Sequence, residues 1–515
     1  MLPVKVHRSI YLLLLALLGG CMVTSVWAAN LVWVLLAANW VLEGWARPDG
    51  SLGPTGRWRD KWQMARQSRL LHAFLVLCVL YAFGMLWTSN MASGLGVLQV
   101  KLTLLAVPLV ILTSRPVTGR ARHIILGCYS ITVLVVSVIS VVRMFTIPNL
   151  PYRDAVPYIS HIRFALNCCL VIYLVSNGRW ALTDGRWVVS VLRLLIIVWL
   201  LAFLALIHSY TAFAILAVVS LILTLAWRRW PLAALWLLLA GGDAFMVGRE
   251  AKAYYRLIPQ ATQPLPRYTA GGRPYIHFRD GIIENGNYIN NYLCPDEMRA
   301  EWQRRSTVNY DSVGDDGYSL QPTLVRYLNA QGLTKDSVGV NTLSDEQIAD
   351  VERGVANPVY VNGNPLRKMV YVMLFEREYR NHTHAVRGFT MLQRLELWRA
   401  TLDVIGQHPW FGVGTGDVKD ALHARLAEME SCLADSGKST HNQYLSLLAA
   451  FGIVGGVLLL IVFVRPFVGR RALRPKPLML AWGLTVLISF LTEDTLATLA
   501  GILFCTWFLA FRRRR

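Results

Sequence analysis

The apolar positions of the chain gather into long runs, separated by short polar stretches and by one long polar segment. The runs lie near 9–25, 27–43, 70–88, 97–113, 123–146, 160–176, 187–207, 209–227, 231–248, 440–464, 477–491 and 494–511. A bilayer core takes about 20 mostly apolar residues per helix. The pattern therefore predicts an all-α, polytopic integral membrane protein of about 12 transmembrane helices. It divides the chain into nine membrane helices over residues 1–248, an external segment over 249–438 and three more helices over 439–515.

The external segment does not read as a linker. Its first half is polar and turn-rich, as in Arg279-Asp280-Gly281-Ile282-Ile283-Glu284-Asn285-Gly286-Asn287-Tyr288. Helical patterns follow near 296–305, 320–331 and 344–353, the last opened by Ser344 and Asp345 as capping residues. From Asn364 to Gln407 apolar and basic residues recur at helical spacing (Met369, Val372, Phe375; Leu395, Trp398, Leu402), as expected of helices lying over the outer membrane surface. The segment, and the chain as a whole, contains no repeat or low-complexity tract.

Composition sharpens this picture. Of 515 residues, 55% are hydrophobic and 16% charged, which excludes an ordinary soluble enzyme and a disordered tail. A net charge of +20 suggests nucleic-acid binding until the charges are located. Residues 249–438 hold 22 basic and 23 acidic side chains, whereas the remaining 325 residues hold 29 basic and 8 acidic ones. The excess thus sits among the apolar runs, and no nucleic-acid partner is expected. Loops that retain Lys and Arg stay cytoplasmic. With the N-terminus inside, 24 of those 29 basic residues fall on the termini and one set of alternating loops, while the opposite connections 89–96, 208–209 and 492–493 carry none. Both termini are expected in the cytoplasm and the 249–438 segment outside.

Leu18-Gly19-Gly20-Cys21 and Val26-Trp27-Ala28 resemble cleavage sites, but apolar sequence resumes through Leu42, which suits a retained hairpin. Cys294 and Cys432 are the external cysteines, and a disulfide between them is open on sequence grounds. CxxC and HExxH spacings do not occur, so no metal site or other cofactor is expected.

Three features could carry chemistry, all at the external face. Arg387, Arg394 and Arg399 precede the turn His408-Pro409-Trp410-Phe411-Gly412-Val413-Gly414-Thr415-Gly416-Asp417. Guanidinium groups there could fork onto phosphate oxygens or anchor at lipid headgroups. Ser439-Thr440-His441-Asn442 opens the tenth run, where a helix dipole disfavours the imidazolium and leaves a neutral base; an interfacial capping histidine is the plainer alternative. Ser160-His161-Ile162-Arg163 opens the sixth run, where Arg163 either lines a wet cavity or snorkels. His208 and the intramembrane Asp243 are weaker candidates. Cations and a base at one interface suit a lipid-linked diphosphate donor.

Arg394-x-x-x-Trp398, His408-Pro409-x-x-Gly412-x-Gly414-x-Gly416, His441-Asn442-x-Tyr444-Leu445 and Phe451-Gly452-Ile453-x-Gly455 resemble the signature of the O-antigen ligase and polymerase superfamily. The likeness covers about 395–456, and the layout of spans with one large loop before span ten is also similar. Ser160-His161-Ile162-Arg163 and Leu324-x-Arg326-Tyr327-Leu328 more loosely resemble ligase-family members from Bacteroidetes.

The resemblance implies a bacterial inner-membrane, metal-independent, inverting glycosyltransferase. Such enzymes move a glycan from undecaprenyl diphosphate to a periplasmic acceptor, the lipid A–core for ligases and the growing glycan for polymerases. It carries the family's catalytic histidine over to His441 and its loop arginine to Arg394, while Arg163, Arg387, Arg399 and His208 are candidate diphosphate contacts by their own positions. One departure stands out: Tyr210 occupies the place where the family's further arginine is expected. A transporter of lipid-linked glycans is the competing class, disfavoured because no inverted repeat is evident. A membrane anchor that only binds partners is a third.

Overall fold

The computed structural model describes residues 4–45, 56–147, 150, 152, 154–177, 187–257, 264–278, 281–313, 319–383, 390–464 and 477–511. It forms two compact units. One comprises Met1–Trp236, Glu396–Glu430 and Ala434–Arg515, the other Leu237–Leu395 and Ser431–Leu433. Residues 396–430, inside the stretch read as external, thus pack with the apolar helices.

The first unit is built from α1 (Val4–Thr24), α2 (Val26–Trp45), α3 (Gly56–Gln67), α4 (Arg69–Phe83), α5 (Met91–Thr113), α6 (Gly119–Thr146), α7 (His161–Asn177), α8 (Trp187–Leu206) and α9 (Tyr210–Ala226). The helix α10 (Trp230–Tyr255) runs from it into the second unit. Eight of the described helices are long and apolar enough to cross a membrane, and four shorter apolar helices, His161–Ser176, Tyr210–Ala226, Leu478–Ser489 and Leu499–Phe511, match the remaining runs. In hydrocarbon only intra-helical bonds satisfy the backbone, which is why the runs fold as helices. Val135, Val138, Val142 and Phe145 on α6 and Leu192, Leu195 and Val198 on α8 face outward. In water such rows would be costly, whereas in lipid they are solvated. The chain is a multi-pass membrane protein.

Side chains fix the ends of these helices. Ser68 accepts the Leu71 N–H at the start of α4, and Asn90 accepts the Ser93 N–H at the start of α5. The core closes on Trp507, whose indole N–H donates to the Leu15 carbonyl (2.9 Å). Gly19 leaves room for its ring: a Cβ there would lie 2.5 Å from it. The last run departs from expectation. In place of a helix from 494, a turn of 3₁₀ helix (Thr495–Ala497) precedes a short α-helix (Leu499–Thr506). The polar Thr492-Glu493-Asp494-Thr495 stretch is used for side-chain and loop bonding rather than for helix.

The second unit has its own core around Met298, Trp302, Tyr310, Leu324, Leu328, Val340 and Phe375. Its helices α11 (Pro295–Arg305), α12 (Leu320–Ala330), α13 (Ser337–Thr342), α14 (Asp345–Glu352), α15 (Val359–Asn362) and α16 (Pro365–Thr383) include the three that the sequence predicts, and Ser344 forms a reciprocal capping box with Gln347. A two-strand hairpin, β1 (Ile283–Glu284) and β2 (Asn287–Tyr288), turns at Asn285-Gly286 with φ of 53° and 79°, the left-handed pair that tight hairpins require. Glu284, fully buried, receives Arg326 through two bonds (2.9 and 2.8 Å) and the Asn357 amide (2.9 Å). The Arg326 in the Leu324–Leu328 motif is thus a structural ion-pair partner, its guanidinium carbon 3.4 Å from the Phe375 ring centroid. Burial pulls the ammonium of Lys335 down to about 7, partly offset by the charge of Glu284. Cys294 is buried and Cys432 exposed, and both thiols are free, so the disulfide left open by the sequence is not formed.

Candidate active site

The site is set by a broken helix. In α19 (Gln443–Val464), which follows α17 (Thr390–Gln407) and α18 (Val418–Glu428), Gly452 adopts φ 63° and ψ −167°. Breaking a helix in hydrocarbon strands amides and carbonyls that water cannot reach. Here the segment 409–414 takes them up. Val413 and Gly414 donate to the carbonyls of Ala449 and Ala450 (2.9 and 3.0 Å), and Ile453 and Val454 donate to those of Pro409 and Trp410 (2.8 and 3.2 Å). Close approach demands glycine on both sides. A Cβ on Gly412 would lie 2.4 Å from the Ala449 carbonyl oxygen, and one on Gly452 2.3 Å from the Trp410 carbonyl carbon.

The next residues tie this loop to α4 and α5. Thr415 donates to the Tyr81 carbonyl (2.6 Å), and the Asp417 carboxylate accepts the Ser89 and Asn90 N–H groups (2.6 and 2.7 Å) ahead of α5. The glycine-rich motif is therefore structural: it anchors α19 and, with it, the polar residues at its start.

His441 lies just before that helix. Asn442 is the residue that caps it, its side-chain oxygen accepting the Tyr444 and Leu445 N–H groups (3.1 and 3.2 Å). The expectation that His441 occupies the first turn is corrected: it stands outside the cap with a left-handed φ of 51°. Backbone strain of this kind persists where surrounding bonds hold it. The His441 N–H donates to Asp494 (3.0 Å), whose other oxygen accepts the Ser446 hydroxyl (2.7 Å). Glu493 approaches the imidazole, Nδ1 to Oε2 4.0 Å, with the imidazole about one-third exposed and the carboxylate mostly buried. The turn is further held by Gln443, which accepts the Leu496 N–H (2.9 Å) and donates its own N–H to the Phe490 carbonyl (2.8 Å).

Arg163 lines a narrow recess with Thr495, Gly501, Phe504 and Asn167, next to the turn that carries Glu493 and Asp494. His208 lies in a ring cluster with Tyr152 (5.1 Å between centroids), which also meets His161 (6.2 Å), and Tyr210 beside them is exposed. Arg399 is exposed on α17 within the first unit. Arg394 is half-buried on the same helix and belongs to the second unit. Arg387 lies outside the described residues. Along α17 the buried apolar positions are Leu392, Leu397, Ala400 and Val404, joined by the polar Glu396 and Thr401; Leu395 and Leu402, expected on the apolar face, are exposed.

Sequence reading missed Glu493, Asp494 and the buried Lys101. An acidic pair between two apolar runs, and one lysine inside a run, were the available signs. Among the described residues no group of three His, Cys, Asp or Glu side chains is placed to hold a metal ion.

No curated protein matches the chain. Residues 355–460 match the family model described as O-antigen ligase, a stretch that holds Arg394, Arg399, the glycine-rich turn, His441 and the break at Gly452. That domain supports membership of the O-antigen ligase superfamily and, with the apolar helices, a membrane enzyme of the ligase or polymerase type.

Proposed function

We propose that the protein transfers a glycan from undecaprenyl diphosphate to a periplasmic acceptor at the inner membrane, and that the acceptor is the lipid A–core. The observation that carries this reading is His441 held at the start of α19 against Glu493, with Asp494 on its own amide.

In this reading the neutral imidazole takes the proton of the acceptor hydroxyl as its oxygen bonds to the anomeric carbon. The bond from that carbon to the diphosphate oxygen breaks with inversion, and undecaprenyl diphosphate leaves with the electron pair. Glu493 stabilises the imidazolium that forms, and Asp494 fixes the backbone that aims it. The guanidinium of Arg394, aided by Arg163, takes the charge of the leaving diphosphate, a role planar two-donor forks suit without a metal. Arg387, Arg399 and His208 are assigned to the donor's diphosphate with lesser weight. Both termini are placed in the cytoplasm and the 249–438 segment in the periplasm, on the distribution of Lys and Arg.

The test is consumption of the lipid-linked donor by purified protein in detergent. Loss that requires added lipid A–core supports ligation; loss with a lipid-linked glycan acceptor alone would reassign the enzyme as a polymerase. No acceptor-dependent loss would overturn the transferase reading and favour a transporter.

A further inference from the structure

Lys101 sits inside the apolar helix α5 and is 4% exposed. An ammonium at that depth is costly and needs a partner. Its Nζ donates to the Leu496 carbonyl (2.5 Å), stands 5.0 Å from the Tyr81 ring centroid and lies within electrostatic reach of Asp494. The other titratable groups that face it are Cys78 and Tyr81 on α4 and Cys505 on the helix after the turn. Thiols and phenols are neutral near pH 7, which leaves Asp494 as its counter-charge. Asp494 in turn holds the His441 amide, and its neighbour Glu493 faces the imidazole.

The turn beside His441 thus holds two adjacent carboxylates, both nearly buried, with Lys101 bonded to it at Leu496 and Arg163 lining a recess with Thr495. Two carboxylates so placed do not both ionise cheaply without compensation. We propose that Lys101 is a positioning residue for the transfer reaction: it pins the 494–496 turn and balances Asp494, so that the charge of Asp494 does not add to that of Glu493 at the imidazole and His441 stays unprotonated. The proposal rests on His441 being that base. Without Lys101 the surplus negative charge falls to the imidazole, which then retains its proton to higher pH and cannot accept another.

The pH–rate profile of the purified enzyme with its lipid-linked donor and lipid A–core decides the matter. Lys101→Arg keeps the charge, and its acidic limb is expected where the wild type has it. In Lys101→Met the limb moves to higher pH by about one unit, with kcat on the acidic side of the limb down by about tenfold and KM for the acceptor unchanged. Lys101→Met combined with Asp494→Asn removes both charges and brings the limb back towards the wild-type position. A residue that only stabilised the fold would lower the amount of active enzyme and leave the limb in place, and that result overturns the proposal. If Lys101→Met is not recovered folded, the double variant decides: a folded enzyme with a wild-type limb supports the charge balance, and failure to fold or a displaced limb refutes it. An active His441→Ala enzyme would instead remove the base reading on which the proposal rests.

Discussion

Replacing Gly452 with alanine should unseat α19. At φ 63° and ψ −167° the backbone occupies a region that is essentially restricted to glycine, and a side chain there costs about 1–3 kcal/mol before any contact is considered. The new Cβ would also lie 2.3 Å from the Trp410 carbonyl carbon and 2.4 Å from its oxygen, so the 409–414 segment must withdraw. Withdrawal strains the four backbone bonds between that segment and the break, each contributing about 1 kcal/mol. Together the loss reaches up to about 5–7 kcal/mol. Gly483→Ala is the control, because nothing stands within 4 Å of a Cβ there and alanine favours the helix. Thermal melting in detergent, read by size-exclusion elution of fluorescent fusions, should show Gly452→Ala melting many degrees below wild type and Gly483→Ala unchanged or slightly above it. A Gly452→Ala protein that melts with the wild type would refute the strained-break account.

Other expectations concern the site and the second unit. Glu493→Gln should fold normally and lower kcat by about a hundredfold, as removing the partner of a general base does, while leaving acceptor KM in place; an unaltered kcat would detach Glu493 from the imidazole. Arg394→Lys and Arg163→Lys should each weaken donor use, since a point charge cannot reproduce the planar fork, and a donor KM unchanged in both would count against bidentate contact. Lys335 supplies a pH dependence. Its folded-state value near 7 lies below the unfolded 10.5, so the unfolded chain holds the proton more tightly. The cost is complete below pH 7 and fades as pH rises towards 10.5, by up to about 1.4 kcal/mol per pH unit. Hydrogen exchange of Leu320–Ala330, corrected for its intrinsic rate, should slow over that window in wild type and not in Lys335→Met; parallel profiles would show that Lys335 is not the group responsible.

Much of the architecture is legible because hydrophobicity and capping act locally. The apolar runs emerge as helices, and α11, α12 and α14 fall on the three helical patterns of the external segment, the last opened by Ser344. The catalytic candidates were legible in part. His441 stands out as a polar residue beside an apolar run, but its place outside the cap depends on Asn442 taking the helix amides. Glu493, Asp494 and Lys101 meet only through tertiary packing between residues far apart in the chain, and no local pattern reports that. The final run illustrates the same limit: hydropathy read it as helix from 494, whereas Asp494 and Leu496 spend their polar groups on His441, Gln443 and Lys101. On α17 the face that packs is one step removed from the one marked by Leu395 and Leu402, because Leu392, Leu397 and Val404 are what the surrounding helices cover.

A lipopolysaccharide gel asks whether His441 drives the proposed glycan transfer to the lipid A–core. A deletion strain would carry either the wild-type gene or His441→Ala at matched membrane levels. A full ladder is expected with wild type, and bare core with accumulated undecaprenyl-linked polymer with His441→Ala. A full ladder in the His441→Ala strain would contradict that role.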